Sequence, residues 1–120
     1  MIRARIELDE DIEVGWGRCW IIGKIILSNN HSKPVKITLS SEQKIKEVLK
    51  YGIKEKAFST LNFILKPGEE KSYEILADCT GRPETEAPRV MDEYDGFIVI
   101  EERNDKKKKT RKIPILVNIY

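Results

Sequence analysis

The groups in this chain with chemistry to offer are one imidazole, two thiols and several clusters of like charge. His31 is the one histidine, so a single chain cannot build a multi-histidine zinc or copper site. A histidine-assisted nucleophile would depend on that residue alone. It stands in the run Ser28-Asn29-Asn30-His31, a cluster of turn formers in which a solvated histidine is expected. Carboxylates gather at Asp9, Glu10, Asp11 and Glu13 and again at Glu84, Glu86, Asp92, Glu93 and Asp95, supplying the oxygen ligands that a hard cation such as calcium requires. Their spacing matches no closed calcium loop, so Asp9, Asp11, Asp92 and Asp95 are weak candidates for a metal and a solvated acidic rim is the plainer reading. Lys106, Lys107, Lys108, Lys109 and Arg111 could meet phosphates, although no aromatic residue is interleaved to stack a base. A glycine-rich phosphate loop, a nucleophile elbow and a metalloprotease helix are all missing from the sequence. Gly15-Trp16-Gly17 precedes a strand and reads as a turn. No catalytic constellation and no cofactor are expected, and the chain is not expected to be an enzyme.

The elements that must position these groups announce themselves by alternation of apolar and polar residues, which puts one face of a strand on a core and the other in water. Ile2, Ala4, Ile6 and Leu8 alternate with Arg3, Arg5 and Glu7 in a first strand. Cys19, Ile21, Gly23, Ile25 and Leu27 share a face of a second, and Val35, Ile37 and Leu39 of a third. Leu61, Phe63 and Leu65 form a fourth, closed by the turn Lys66-Pro67-Gly68-Glu69. Tyr73, Ile75, Ala77 and Cys79 line a fifth. Residues 96–100 and 113–119 are the last two, joined by the charged hairpin. Ile45, Val48 and Leu49 fall at helical spacing between Ser41, which can cap, and Gly52, which can stop, so one short helix is expected between the third and fourth strands. Thr80 to Glu93, with Pro83 and Pro88, has no apolar period and reads as a long exposed loop.

A length of 120 residues fits one domain, and 40% hydrophobic residues suffice for its core. With 22 basic and 20 acidic residues the net charge is +2, which gives no global reason to expect nucleic acid or an anionic membrane. The abundance of Lys, Glu and Ile is typical of proteins from hot environments. No apolar run approaches the roughly 20 residues that span a bilayer, and the first residues do not form a signal-peptide core. As written, the chain reads as cytoplasmic. It would be extracellular if a signal or anchor segment belongs ahead of it.

About seven strands with turn signals and one short helix favour a two-sheet antiparallel sandwich. The progression Ile26-Leu27-Ser28-Asn29-Asn30, Pro34-Val35-Lys36-Ile37, Leu65-Lys66-Pro67-Gly68-Glu69, Tyr94-Asp95-Gly96-Phe97 and Ile113-Pro114-Ile115 resembles immunoglobulin-like sandwiches of the fibronectin III and major sperm protein kind. The resemblance implies a spacer, adhesion or assembly module, and it puts Tyr94 where such domains often carry a tyrosine corner. It also implies that the second and fifth strands are antiparallel neighbours, which brings Cys19 near Cys79 as either a cross-strand disulfide or two buried thiols. The acidic loops would share one end of the sandwich. His31, Lys33, Lys66, Lys71 and the Lys106 to Arg111 hairpin would share the other.

Trp20, Ile22 and Ile26 lie opposite the Cys19 set, with Trp16 just before them; either the helix covers them or they form a partner surface. Pro114 marks the last strand as an edge. The function expected from the whole is a non-catalytic protein-interaction or structural module, with a protein partner or a homo-oligomer. The alternatives are a nucleic-acid-binding protein using the basic hairpin and a calcium-stabilised adhesion module.

Overall fold

In the computed structural model, which describes residues 2–81, 90–105 and 107–120, the described chain is all-β, with two five-stranded sheets and a single 3-10 turn. The first sheet holds β1 (Arg3–Leu8), β3 (Cys19–Ser28), β8 (Glu70–Asp78), β5 (Leu49–Ile53) and β6 (Lys56–Phe58), side by side in that order and all antiparallel. The second holds β2 (Glu13–Val14), β10 (Lys107–Ile119), β9 (Asp92–Asn104), β4 (Val35–Glu42) and β7 (Leu61–Leu65). Within it only β2 runs parallel to its neighbour, pairing with Asn118 and Ile119. Apart from the β5–β6 and β9–β10 pairs, successive strands switch sheets, so the two apolar faces are sewn together along the chain.

All seven strands read from alternation are present, and the last two are longer than expected. The reading of Thr80 to Glu93 as a loop falls mostly on residues outside those described, but Asp92 and Glu93 already belong to β9. The expected helix is corrected. One 3-10 turn, Lys44–Glu47, stands there, followed at once by β5. Ile45, Val48 and Leu49 are all buried, but their helical spacing is the accident of a single turn abutting a strand whose own alternation is Leu49, Tyr51, Ile53. A helix so short has too few internal hydrogen bonds to hold without packing, and Ile45, fully buried beneath β9, supplies that packing.

The core lies between the sheets. Ile25, Leu27, Ile75 and Tyr51 face Ile37, Leu39, Ile98 and Val117, and the Tyr51 hydroxyl donates to the Ser40 carbonyl at 2.7 Å, tying the layers. Burial pushes the Tyr51 phenol up to about 12.

In β3 the alternation breaks. Ile21 pairs with Leu76 while Gly23 pairs with Ile75, leaving Ile22 as the extra residue of a bulge. Ahead of the bulge the faces exchange: Ile22 is 1% exposed and Trp20 packs on the core, while Ile21 is 64% exposed and Cys19 faces water. Gly23 is fixed by the close passage of β1, because a Cβ there would lie 2.2 Å from the Glu7 carbonyl oxygen. Gly23→Ala should therefore lower stability by about 1–3 kcal/mol, as overpacking does. Gly15→Ala, with nothing within 4 Å of the new methyl, should stay within about 0.5 kcal/mol. Urea midpoints for the two variants check this, and equal midpoints would contradict the close approach.

Candidate functional site

Counting parity along β9 puts Glu102 on the same side as Ile98 and Ile100, facing inward at the end of the sandwich. It is 4% exposed, the one buried carboxylate among the described residues. A bare carboxylate there would cost several kcal/mol, so its partners matter. The Ile2 amide donates to Oε1 at 3.2 Å, and Arg111 Nη2 from the neighbouring strand approaches Oε2 at 3.4 Å. The same guanidinium donates to the Ile2 carbonyl. His31 Nε2 lies 3.6 Å from Oε1. The start of β1, the loop after β3 and the β9–β10 hairpin thus converge on one carboxylate.

His31 is placed by Asn29, whose buried side chain accepts from the His31 amide at 2.8 Å and donates to the carbonyls of Lys33 and Leu65, each at 2.9 Å. The Asn29 amide donates to Glu69, and Gly68 donates back to Asn29, locking the Pro67-Gly68 turn against this loop. The loops expected to share one end do so. Beside them a shallow depression of about 700 Å³ is lined by His31, Ser32, Lys33, Asn104, Asp105 and Lys107. Lys33 and Asp105 pair across it at 3.5 Å, both largely exposed, a contact worth little. The Glu102 oxygens are committed to an amide and a guanidinium, so the arrangement holds the fold; it does not present a free base. Glu102 was not singled out from sequence, although counting on from Ile98 and Ile100 would have found it.

The basic run does not form one patch. Lys106 lies outside the described residues. Alternation sends Lys108 to the outer face of its sheet, beside Arg103 across the strand pair, and sends Lys107, Lys109 and Arg111 to the other side, where Arg111 is half-buried on Glu102. On the outer face Glu101 pairs with Arg103 at 3.2 Å and with Lys108 at 3.4 Å.

The proposed surface at Trp16, Trp20, Ile22 and Ile26 is corrected in part. Trp16 is 7% exposed and meets Tyr94 edge-on at 5.8 Å between ring centroids, and Ile22 is core; the bulge turned both Trp20 and Ile22 inward. Ile26 alone stays on the outer side, half-buried. Tyr94 is buried, with Lys44 Nζ 4.6 Å from its ring centroid. The acidic candidates scatter: Asp9 follows β1, Asp11 sits in a turn with φ of 45°, and Asp92 and Asp95 lie on β9. Among the described residues no group of three His, Cys, Asp or Glu side chains is arranged to hold a metal.

Cys19 and Cys79 are free thiols. The strands are neighbours as expected, but Cys19 pairs in register with Asp78, not Cys79, and consecutive residues face opposite ways. Cys19 therefore points outward and Cys79 into the core. Burial, then the Asp78 carboxylate, raises the Cys19 thiol, and the same two causes push Cys79 up to about 11. Asp78 itself is held below the usual carboxylate range by hydrogen bonds from Lys50, at 2.6 Å, and Thr80.

Two expectations follow from this geometry. Glu102→Ala, which strands a half-buried guanidinium, should cost about 3 kcal/mol in chemical denaturation, and Glu102→Met/Arg111→Met should cost less than that single change. A double variant as unstable as the single would deny the pairing. Iodoacetamide at pH 7 should label Cys19 slowly and Cys79 only on unfolding, with identical peptide maps before and after reduction; loss of a bridged Cys19–Cys79 peptide on reduction would restore the disulfide.

No family model and no curated protein matches the sequence. Solved structures do match it in shape. One is a family 123 glycoside hydrolase from Clostridium perfringens, described for the hydrolysis of glycolipid glycans, with 17% identity and a TM-score of 0.52 over 98% of this chain and 27% of that one. The present chain thus spans about a quarter of that enzyme's length, and the likeness shows a shared all-β fold.

Proposed function

We propose that this chain is a non-catalytic protein-interaction and assembly module built on an immunoglobulin-like sandwich. The strand order supports the fold reading: β1 beside β3, β3 beside β8, β8 beside β5, and on the other sheet β10 beside β9 and β9 beside β4, the neighbours that such a sandwich brings together. The short β6 and the placement of β7 next to β4 are elaborations at the two far edges. The observation that carries the functional reading is the state of Glu102. The one buried carboxylate among the described residues is taken up by the Ile2 amide and Arg111, with His31 Nε2 3.6 Å away, at the end of the sandwich. The likeness to a quarter of a larger hydrolase fits a unit that serves inside an assembly.

Nucleic-acid binding through the hairpin is the weaker reading, because among the described residues Lys107, Lys109 and Arg111 lie on one face of the strand pair and Lys108 on the other, and Arg111 is already engaged by Glu102. Catalysis is tested directly with a panel of nitrophenyl glycosides at high protein concentration. Turnover should be no greater than that of the Glu102→Gln variant, and a rate that Glu102→Gln abolishes would overturn the proposal. Assembly is tested by light scattering of the same samples.

A further inference from the structure

We infer that this chain pairs with a second copy of itself by exchanging β1, so that residues 2–8 of each copy fill on the other the place they fill here on their own chain; this rests on the assembly reading above. β1 pairs in register with β3 from Arg3↔Ser28 to Leu8↔Gly23 and is the edge of its sheet, with one strand neighbour among the described residues. Ile2 is 2% exposed, its amide donates to Glu102 and its carbonyl accepts from Arg111. Ala4, Ile6 and Leu8 pack on the core, and on the outer side Glu7 meets Lys24 of β3 at 3.5 Å. The groove that receives β1 is built wholly by the remainder of the chain, so a second copy offers the identical groove.

The tie between β1 and its own groove is short. The Asp9 amide donates to the Ile22 carbonyl of the first sheet at 3.0 Å, and the Ile12 carbonyl accepts from the Asn118 amide of the second at 2.9 Å. Glu10 and Asp11 alone lie between those anchors, both exposed, and they carry the chain from one layer to the other. Stacked sheets lie roughly 10 Å apart, which leaves two residues little slack. Asp11 makes the crossing at φ of 45°, a left-handed conformation that costs a residue other than glycine free energy. Short connections under strain favour exchange, because opening relieves the connection while every contact of the exchanged element is made again on the partner.

Since β1 makes the same contacts in the closed monomer and in the exchanged dimer, the balance between them falls to the connection. A segment on a short flexible linker meets its own groove at an effective concentration on the order of millimolar, and a linker with little slack lowers that value. A second copy therefore competes once the protein itself reaches roughly 0.1–1 mM. In the dimer the two opened connections run beside each other about the two-fold axis, which brings Asp9, Glu10 and Asp11 of one copy near those of the other. Like charge opposes association at low ionic strength, and salt screens it. The exchanged dimer is accordingly strengthened by salt, the opposite of an interface held by ion pairs.

The experiment mixes equal amounts of protein labelled with light and with heavy nitrogen, unfolds them together in urea and refolds them together from micromolar to millimolar concentration in low and high salt. Sedimentation equilibrium sizes the products, and a carbodiimide then joins each ammonium to a carboxylate in contact with it. Peptide mass spectrometry reads whether Glu7 is joined to Lys24 of its own chain or of the other isotope. About half of these cross-links should be mixed in the dimer, as random pairing of two labels requires, and none in the monomer. Inserting Gly-Ser between Glu10 and Asp11 relaxes the connection without removing a charge, and it should raise the dissociation constant roughly tenfold or more. Deleting Glu10 should leave the connection unable to span the layers and give dimer at micromolar protein. Wild-type dimers whose Glu7 to Lys24 cross-links all stay within one chain would overturn the exchange while leaving self-assembly through another surface standing. A wild-type chain that stays monomeric at millimolar concentration in high salt would overturn the second copy as partner. A dissociation constant that the insertion leaves unchanged, or that rises with salt, would overturn the strained acidic connection as its basis. Circular dichroism of both variants separates a change of association from a loss of folding.

Discussion

Side chains on a strand alternate between two faces, so one inserted residue exchanges what is buried and what is wet, and the rest of this molecule depends on where that exchange happens. In β3 it happens at Ile22. Beyond the bulge Ile25 and Leu27 are core, and before it Trp20 and Ile22 are core; without the extra residue Cys19 and Ile21 would have been buried in their place. The bulge admits the indole of Trp20, whose Nε1 donates to the Gly15 carbonyl at 2.8 Å, and so fastens the Gly15-Trp16-Gly17 turn to the sheet. The same exchange separates the two thiols. A backbone irregularity of one residue decides three matters that residue types alone leave open.

Unbroken parity has an equally large effect in the other sheet. Along the hairpin it carries Glu102 and Arg111 to the inside and Arg103 and Lys108 to the outside. An inward carboxylate is tolerated because it lies at the end of the sandwich, where an exposed guanidinium edge, a backbone amide and an imidazole can reach it without deep desolvation of all three. Replacing such a pair by apolar residues can be neutral for stability. Its value here is positional. Ile2, His31 and Arg111 come from three separate parts of the chain, and an apolar contact among them would fix no particular geometry.

Much of this was legible in the sequence, for a physical reason: seven strands carry the period-two signal over enough residues to stand alone, and Pro67-Gly68 is a turn in any context. The segments that were not legible are those whose conformation is set by their neighbours. Glu13 and Val14 make a strand of two residues because Asn118 and Ile119 are there to receive them. Leu49 to Ile53 is a strand because β8 offers an open edge, and its helical look came from Ile45 and Val48, which belong to another element. The bulge depends on the register between β3 and β8, a relation between two segments that neither states by itself. Glu102 is the exception: its inward position follows from counting alone, and what obscured it was the expectation that charged residues near a hairpin tip are solvated.

The edges of the two sheets bear on how such a module can associate. From Lys107 to Val117 the far side of β10 has no neighbouring strand among the described residues, since β2 covers only the last two residues. That stretch is lined with lysines and interrupted by Pro114, features that discourage a foreign strand from pairing. On the opposite sheet β1 presents Arg3, Arg5 and Glu7 outward, and β6 is three residues long. Extending a sheet through these edges would place cations beside cations or would gain few hydrogen bonds. The outer face of the second sheet is charged as well. Across it Glu101 pairs with Arg103 and Lys108, and Lys112 pairs with Glu42 at 2.8 Å, so its charges are matched within the sheet itself.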